Sequence, residues 1–304
     1  MKKVAVGIVA VLGLTLLQAV PAKAAGETIV IIDTVLDTSR PELKDNIVYE
    51  VCMTESRRCS NQTSMEQEGP GAASLQAGLT SLIYSNKDMR HGTDIALTVK
   101  AVDPNARIIF IRTTGVDVLK NNKVSIAHAS NMKHLAKPLN WVAQNKSKYN
   151  IAAVVMSKAS NAWGAGNSCV PRKDDEQLVA AIKNVTNLGI AVMAGTGNDR
   201  NFTRTRFPSC IQETVSVSSV VDWQESIDEI QANHAADVDF YALGFWNLPT
   251  GRTSGTSLAN AALAAYWVKN YKGSYQATYD YLKSISKLLK GGQVSTNSFI
   301  DISK

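Results

Sequence analysis

No run of like charge interrupts this chain, no low-complexity linker divides it, and no long repeat recurs in it. Without a linker or repeat, the organisation to expect is one large domain with a substantial core. Without a charge block, an electrostatic footprint for nucleic acid is missing. The formal net charge is only +6, and of 32 basic residues three (Lys2, Lys3, Lys23) fall in the first 24 positions, leaving 29 against 26 acidic. Small clusters such as Arg57-Arg58 are then solvated surface. A bilayer-spanning run is also missing, because the one apolar run, residues 4–20, is short and broken by Gly7, Gly13 and Gln18. Cysteine is scarce, with four in all. Neither Cys52/Cys59 nor Cys169/Cys210 has the spacing of a metal site, and no histidine accompanies them.

The chain opens Met1-Lys2-Lys3, continues through the apolar run, and reaches Pro21-Ala22-Lys23-Ala24. A charged start, an apolar stretch and an A-x-A site predict a signal peptide over residues 1–24, cut after Ala24. No cysteine follows that site to carry a lipid. The remainder, residues 25–304, is expected to be exported, secreted or periplasmic, without stable membrane association. Four cysteines in an exported chain predict two disulfides, for which three pairings exist. Cys52 and Cys59 flank a short polar loop, which favours that pair and leaves Cys169 with Cys210.

Short β-branched apolar runs alternate with helical patterns. Residues 28–32, 107–113, 151–156, 190–194, 214–219 and 238–241 read as strands; 91–102, 125–144, 174–188 and 257–271 read as helices. Such alternation predicts an α/β fold, a mostly parallel sheet with helices on both faces. Residues 50–90, rich in Ser, Glu, Gln, Gly and Asn, read as an irregular surface excursion. In open sheets of this kind ligands bind beyond the carboxyl ends of the strands.

Four short segments place chemistry at such ends. Gly255-Thr256-Ser257-Leu258-Ala259 is a small-residue turn entering an apolar helix, which would expose the Ser257 hydroxyl among free backbone N–H groups. Val30-Ile31-Ile32-Asp33 ends a buried strand on a carboxylate, which needs a partner or a role. His91-Gly92-Thr93 puts an imidazole in the first turn of a helix. The strand of residues 190–194 breaks into Gly195-Thr196-Gly197-Asn198. Taken singly, each has an ordinary explanation as a cap or a turn residue. Together they supply what a serine nucleophile requires: a base, a carboxylate to orient that base, and donors for an oxyanion.

The strings from Ile31 through Asp33-Thr34 to Leu43, His91-Gly92-Thr93 and Gly255-Thr256-Ser257-Leu258-Ala259 resemble the three signatures of the subtilisin-like serine proteases. Val155-Met156-Ser157, Phe207-Pro208-Ser209 and Asp239–Gly244 fit the same family, in order, over about residues 28–272. The resemblance implies a three-layer subtilisin-like α/β fold and a serine endopeptidase working through an acyl-enzyme. It assigns Asp33, His91 and Ser257 to the catalytic triad and Asn198 to the oxyanion. Ser157, Lys158, Ala159, Ala194 and Gly195 would line a cleft for a protein or peptide substrate. No cofactor is required for that chemistry. A structural calcium stays open, no metal site being assignable, and a monomer is the expected state.

This chain departs from the family pattern at Val35, Asp94, Lys158-Ala159 and Ala261, where the family usually carries Gly, His, Leu-Gly and Pro. Only about eight residues separate the expected cleavage site from Asp33, so no pro-domain is evident. Two other readings compete: a catalytically weak scaffold that binds peptides or a partner protein, and an esterase. The order Asp, His, Ser and the lack of a Gly-x-Ser-x-Gly elbow argue against an α/β-hydrolase.

Overall fold

The computed structural model describes residues 26–119, 123–128, 132–164, 169–222, 231–288 and 298–301. The expected signal peptide lies outside them. One large sheet dominates, built in chain order from β1 (Thr28–Asp33), β2 (Ile47–Met53), β3 (Glu66–Glu68), β4 (Arg107–Arg112), β5 (Ile151–Met156), β6 (Ala191–Gly195), β7 (Val215–Val220), β8 (Phe240–Leu243), β9 (Lys287–Leu288) and β10 (Ser298–Phe299). Its spatial order is β9-β10-β8-β7-β6-β5-β1-β4-β2-β3. All neighbours are parallel except the two edge pairs, β9 with β10 and β2 with β3.

Burial on both sides follows from the sequence of each central strand. In β1, Ile29 and Ile31 join one core while Val30 and Ile32 join another; in β4, Phe110 and Ile111 divide in the same way. Period-two alternation of aliphatic residues thus feeds two layers at once. One layer holds α2 (Lys87–Val102) packed on α5 (Thr256–Lys269), the other α3 (Ala136–Tyr149) packed on α4 (Glu176–Asn187). Helix α5 is apolar around its whole circumference and is buried accordingly, with Leu263 and Trp267 fully enclosed. The short α1 (Ser81–Ser85) precedes α2, and α6 (Tyr275–Ile285) follows α5. The expected three-layer α/β architecture is the one observed.

Local readings needed correction. Residues 125–144 are not one helix: Val124–Ala127 pairs antiparallel with Gly115–Val118, a short 3-10 turn follows at Met132–Leu135, and only then does α3 begin. The alternating Val124-Ser125-Ile126-Ala127 is a strand pattern that the helical period had absorbed. The polar excursion of residues 50–90 contains the end of β2, all of β3, and α1. An unexpected hairpin, Phe245–Leu248 with Gly251–Ser254, leads into α5. Disulfides join Cys52 to Cys59 and Cys169 to Cys210.

The chain order reverses across β1, which lies between β4 and β5. The carboxyl ends of β1, β5 and β6 therefore share one edge of the sheet, the location where α/β sheets hold ligands.

Candidate active site

Asp33 is the last residue of β1, and its carboxylate is 4 % exposed. Oδ1 accepts from the Thr34 N–H at 2.7 Å and from His91 Nδ1 at 2.8 Å. An ionised carboxylate accepts only, so the His91 Nδ1 carries the proton of that bond and the neutral ring presents Nε2 as its free acceptor. The His91 side chain is 33 % exposed. Burial lowers its pKa, but the charge and hydrogen bond of Asp33 outweigh that cost, helped by Asp94 and Asp88, and the net shift is upward.

The position of His91 is set by its neighbours. Helix α2 begins at Lys87, capped by the Asn86 side chain on the Asp88 and Met89 N–H groups. His91 is thus in the second turn, not the first. The Thr34 hydroxyl donates to the Met89 carbonyl at 3.1 Å and accepts from the Gly92 N–H at 3.0 Å, fastening the end of β1 to the helix on both sides of His91. The Thr93 hydroxyl accepts from the Asp37 N–H at 2.9 Å. Gly92 is required by space: a Cβ there would lie 2.6 Å from Phe110 Cζ and 2.7 Å from the Val35 carbonyl oxygen.

Ser257 is the second residue of α5 and half-buried. The preceding Gly255 takes φ +141°, a conformation that favours glycine, and closes the turn against Asn198. The Thr256 N–H donates to Asn198 Oδ1 at 3.0 Å, and the Gly197 N–H donates to Thr256 Oγ1 at 3.2 Å. With its oxygen engaged, the Asn198 amide keeps its NH2 for another acceptor. The Ser257 N–H belongs to the helix's orphan amino-terminal donors. The Asn260 side chain, one turn on, donates to the Met156 and Met193 carbonyls at 3.2 Å each and ties α5 to the ends of β5 and β6.

Two hollows meet here. Asp33, His91, Ser157 and Lys158 line one of about 80 Å³; Ser157, Ala159, Gly195, Asn198 and Ser257 line the other, of about 260 Å³. Ser157 borders both, and its Oγ is buried without a hydrogen-bond partner among the described residues. No hydrogen bond joins Ser257 to His91, a common state of such pairs before substrate is bound. Ala194, expected in the cleft wall, is 1 % exposed within β6 and lines neither hollow.

Several contributors left no local signal in the sequence. Asn233, fully buried, accepts from the Asp199 and Asn201 N–H groups and donates to the Thr196 carbonyl, holding the turn that carries Asn198 from more than thirty positions away. Arg112, at the end of β4, spends its buried guanidinium on the Thr114, Ser74 and Arg58 carbonyls, and burial draws its pKa down to about 10. Asp94 is buried and bonded to Arg90 and to Thr250 of the hairpin before α5. Val35 fills a small apolar cluster with Leu75, Ile83 and Met89. Two of the departures from the family pattern are thus structural fittings. Among the described residues no group of three or more His, Cys, Asp and Glu side chains could hold a metal ion, and no helix is long and apolar enough to cross a membrane.

A serine at a helix start, a carboxylate-bound histidine and an amide held by the Thr256 N–H thus stand at one edge of a parallel α/β sheet. A profile of the subtilase family matches residues 24–285, and the chain belongs to that family of serine peptidases. Solved structures agree on the fold. A protease from Pseudoalteromonas arctica superposes with a TM-score of 0.67 at 17% identity, over 92% of this chain and 88% of that one. The nisin leader peptidase NisP from Lactococcus lactis gives 0.61 at 15%, over 92% and 86%. A cold-adapted subtilisin-like serine proteinase gives 0.57 at 20%, over 90% and 88%.

Proposed function

We propose that this protein is an exported serine endopeptidase whose single peptidase domain, residues 25–304, cleaves peptide bonds through Asp33, His91 and Ser257. The observation that carries the reading is the 2.8 Å bond from His91 Nδ1 to a buried Asp33, at the sheet edge that also receives the amino end of α5. In the reaction Ser257 Oγ attacks the scissile carbonyl carbon while its proton passes to His91 Nε2, and Asp33 stabilises the imidazolium. The carbonyl oxygen, now an anion, is met by Asn198 Nδ2 and the Ser257 N–H. Collapse of this intermediate breaks the C–N bond, the departing amine takes the proton from His91, and an acyl-serine remains. Water, deprotonated by His91, then releases the acid and restores the serine. Two disulfides support an oxidising destination.

One alternative, a scaffold that binds peptides without turning them over, is motivated by the departures from the family pattern near Asp33 and Ser257, at Val35 and Ala261. Labelling by a fluorophosphonate probe separates the two. The protein reacts and its Ser257→Ala variant does not if Ser257 is activated; a folded protein that stays unlabelled refutes the peptidase reading.

A further inference from the structure

The hollow beside His91 holds a cation that the reaction above does not use. Lys158 follows β5 by two positions and is half-buried, lining the His91 hollow on one side and a polar cavity of about 480 Å³ on the other. No carboxylate among the described residues comes within ion-pair distance of its ammonium. The carboxylates that act on it from farther off are Asp33, Glu55 and Asp88. Asp33 is engaged by His91, and Glu55 by His134 at 3.2 Å. In the larger cavity Asp175 is turned to the Arg172 N–H. The remaining titratable group of the His91 hollow, His128, has its pKa lowered by burial and is neutral at pH 7.

The contrast with the neighbouring hollow is direct. Arg206, which lines the hollow of Ser257, is paired: its guanidinium meets both oxygens of Asp199 and donates to the Ser160 carbonyl and to Asn161 Oδ1. Its charge is already met by a carboxylate. A partly desolvated ammonium without a counter-ion, by comparison, is stabilised by any ligand that brings one. The strand that leads to it is fixed, since Met156, two positions earlier, ends β5 within the sheet and its carbonyl is held by Asn260.

We propose that Lys158 is a specificity-determining residue that pairs with an acidic side chain of the peptide substrate, in the residue that lies against His91. This rests on the peptidase reading and adds a substrate class to it: peptides with Asp or Glu beside the scissile bond. Lys158 touches the substrate and takes no part in proton transfer.

The test is a set of peptides with one cleavable bond, carrying Asp, Asn or Lys in turn at each flanking position. At one position kcat/KM for Asp exceeds that for Asn by about tenfold, the size of a partly buried charge-assisted contact. The ratio falls to near one in Lys158→Met, and in Lys158→Glu the Lys peptide becomes the preferred one. Because each variant is read as a ratio between peptides, a general loss of activity does not imitate the effect. A ratio within about twofold at every position, or one unchanged in Lys158→Met, overturns the proposal. Fluorophosphonate reacted with the unaltered protein distinguishes the two failures: labelling without acidic preference refutes the role of Lys158 alone, and absence of labelling refutes the peptidase reading with it.

Discussion

Replacing Gly92 by alanine adds one methyl group at the tightest point between α2 and the sheet. The new Cβ would stand 2.6 Å from Phe110 Cζ, 0.8 Å short of the 3.4 Å at which ordinary contact begins, and 2.7 Å from the Val35 carbonyl oxygen. Neither neighbour can yield: Phe110 is fully buried in the core and Val35 presents backbone. The helix must therefore lift by several tenths of an ångström. That strains the Thr34–Gly92 bond at 3.0 Å and moves His91 from its 2.8 Å contact with Asp33. Overpacking of this kind costs about 1–3 kcal/mol of stability. A shift approaching 1 Å in a catalytic group costs on the order of 10²-fold in rate. The assays are thermal unfolding and kcat/KM on a peptide substrate, with a fall expected in both. A variant with unchanged melting temperature and kcat/KM within about twofold of the parent would refute the argument that Gly92 sets the place of His91.

Two further outcomes follow from the same geometry. Because the His91 pKa is raised above the usual 6.5, and the ring must be neutral to accept a proton, kcat/KM should rise with pH through an inflection above 6.5. In Asp33→Asn the largest raising cause is gone and burial is opposed only by Asp94 and Asp88, so the inflection should move down, and one that stays in place contradicts the assignment to Asp33. Asn198→Ala should lower kcat by about 10²–10³-fold with KM little changed, the loss that removal of one oxyanion donor causes in subtilisin; a kcat equal to the parent's would remove Asn198 from the oxyanion site.

Much of the fold was legible along the chain. The strands at 28–32 and 151–156 announce themselves as short, uniformly apolar runs, because a parallel strand covered on both faces has no solvent side to mark with polar residues. Helix α5 is legible for a similar reason. The strand pair Gly115–Val118 and Val124–Ala127 was not, since four alternating residues fit a helical period nearly as well as a strand. The beginning of α2 was missed by one turn because its cap, Asn86, stands among other polar residues with nothing local to single it out.

Local pattern carried the central strands, most of the helices and the chemical groups: Asp33 at a strand end, Ser257 at a helix start, four cysteines of which the loop-flanking pair joins. These are properties of short segments, governed by periodicity, capping and loop closure over a few residues. Tertiary structure alone decided what those groups meet. Asn233 steadies the Asn198 turn, Thr34 brackets His91, Thr250 reaches Asp94, and Arg112 serves three loops, each across more than thirty positions except its own Thr114 contact. Such pairs follow from how helices stack on a twisted sheet, and no local pattern records them. The same holds for charge: Arg206 and Lys158 are both single cations in the sequence, and only the fold gives one an aspartate and leaves the other facing the cleft.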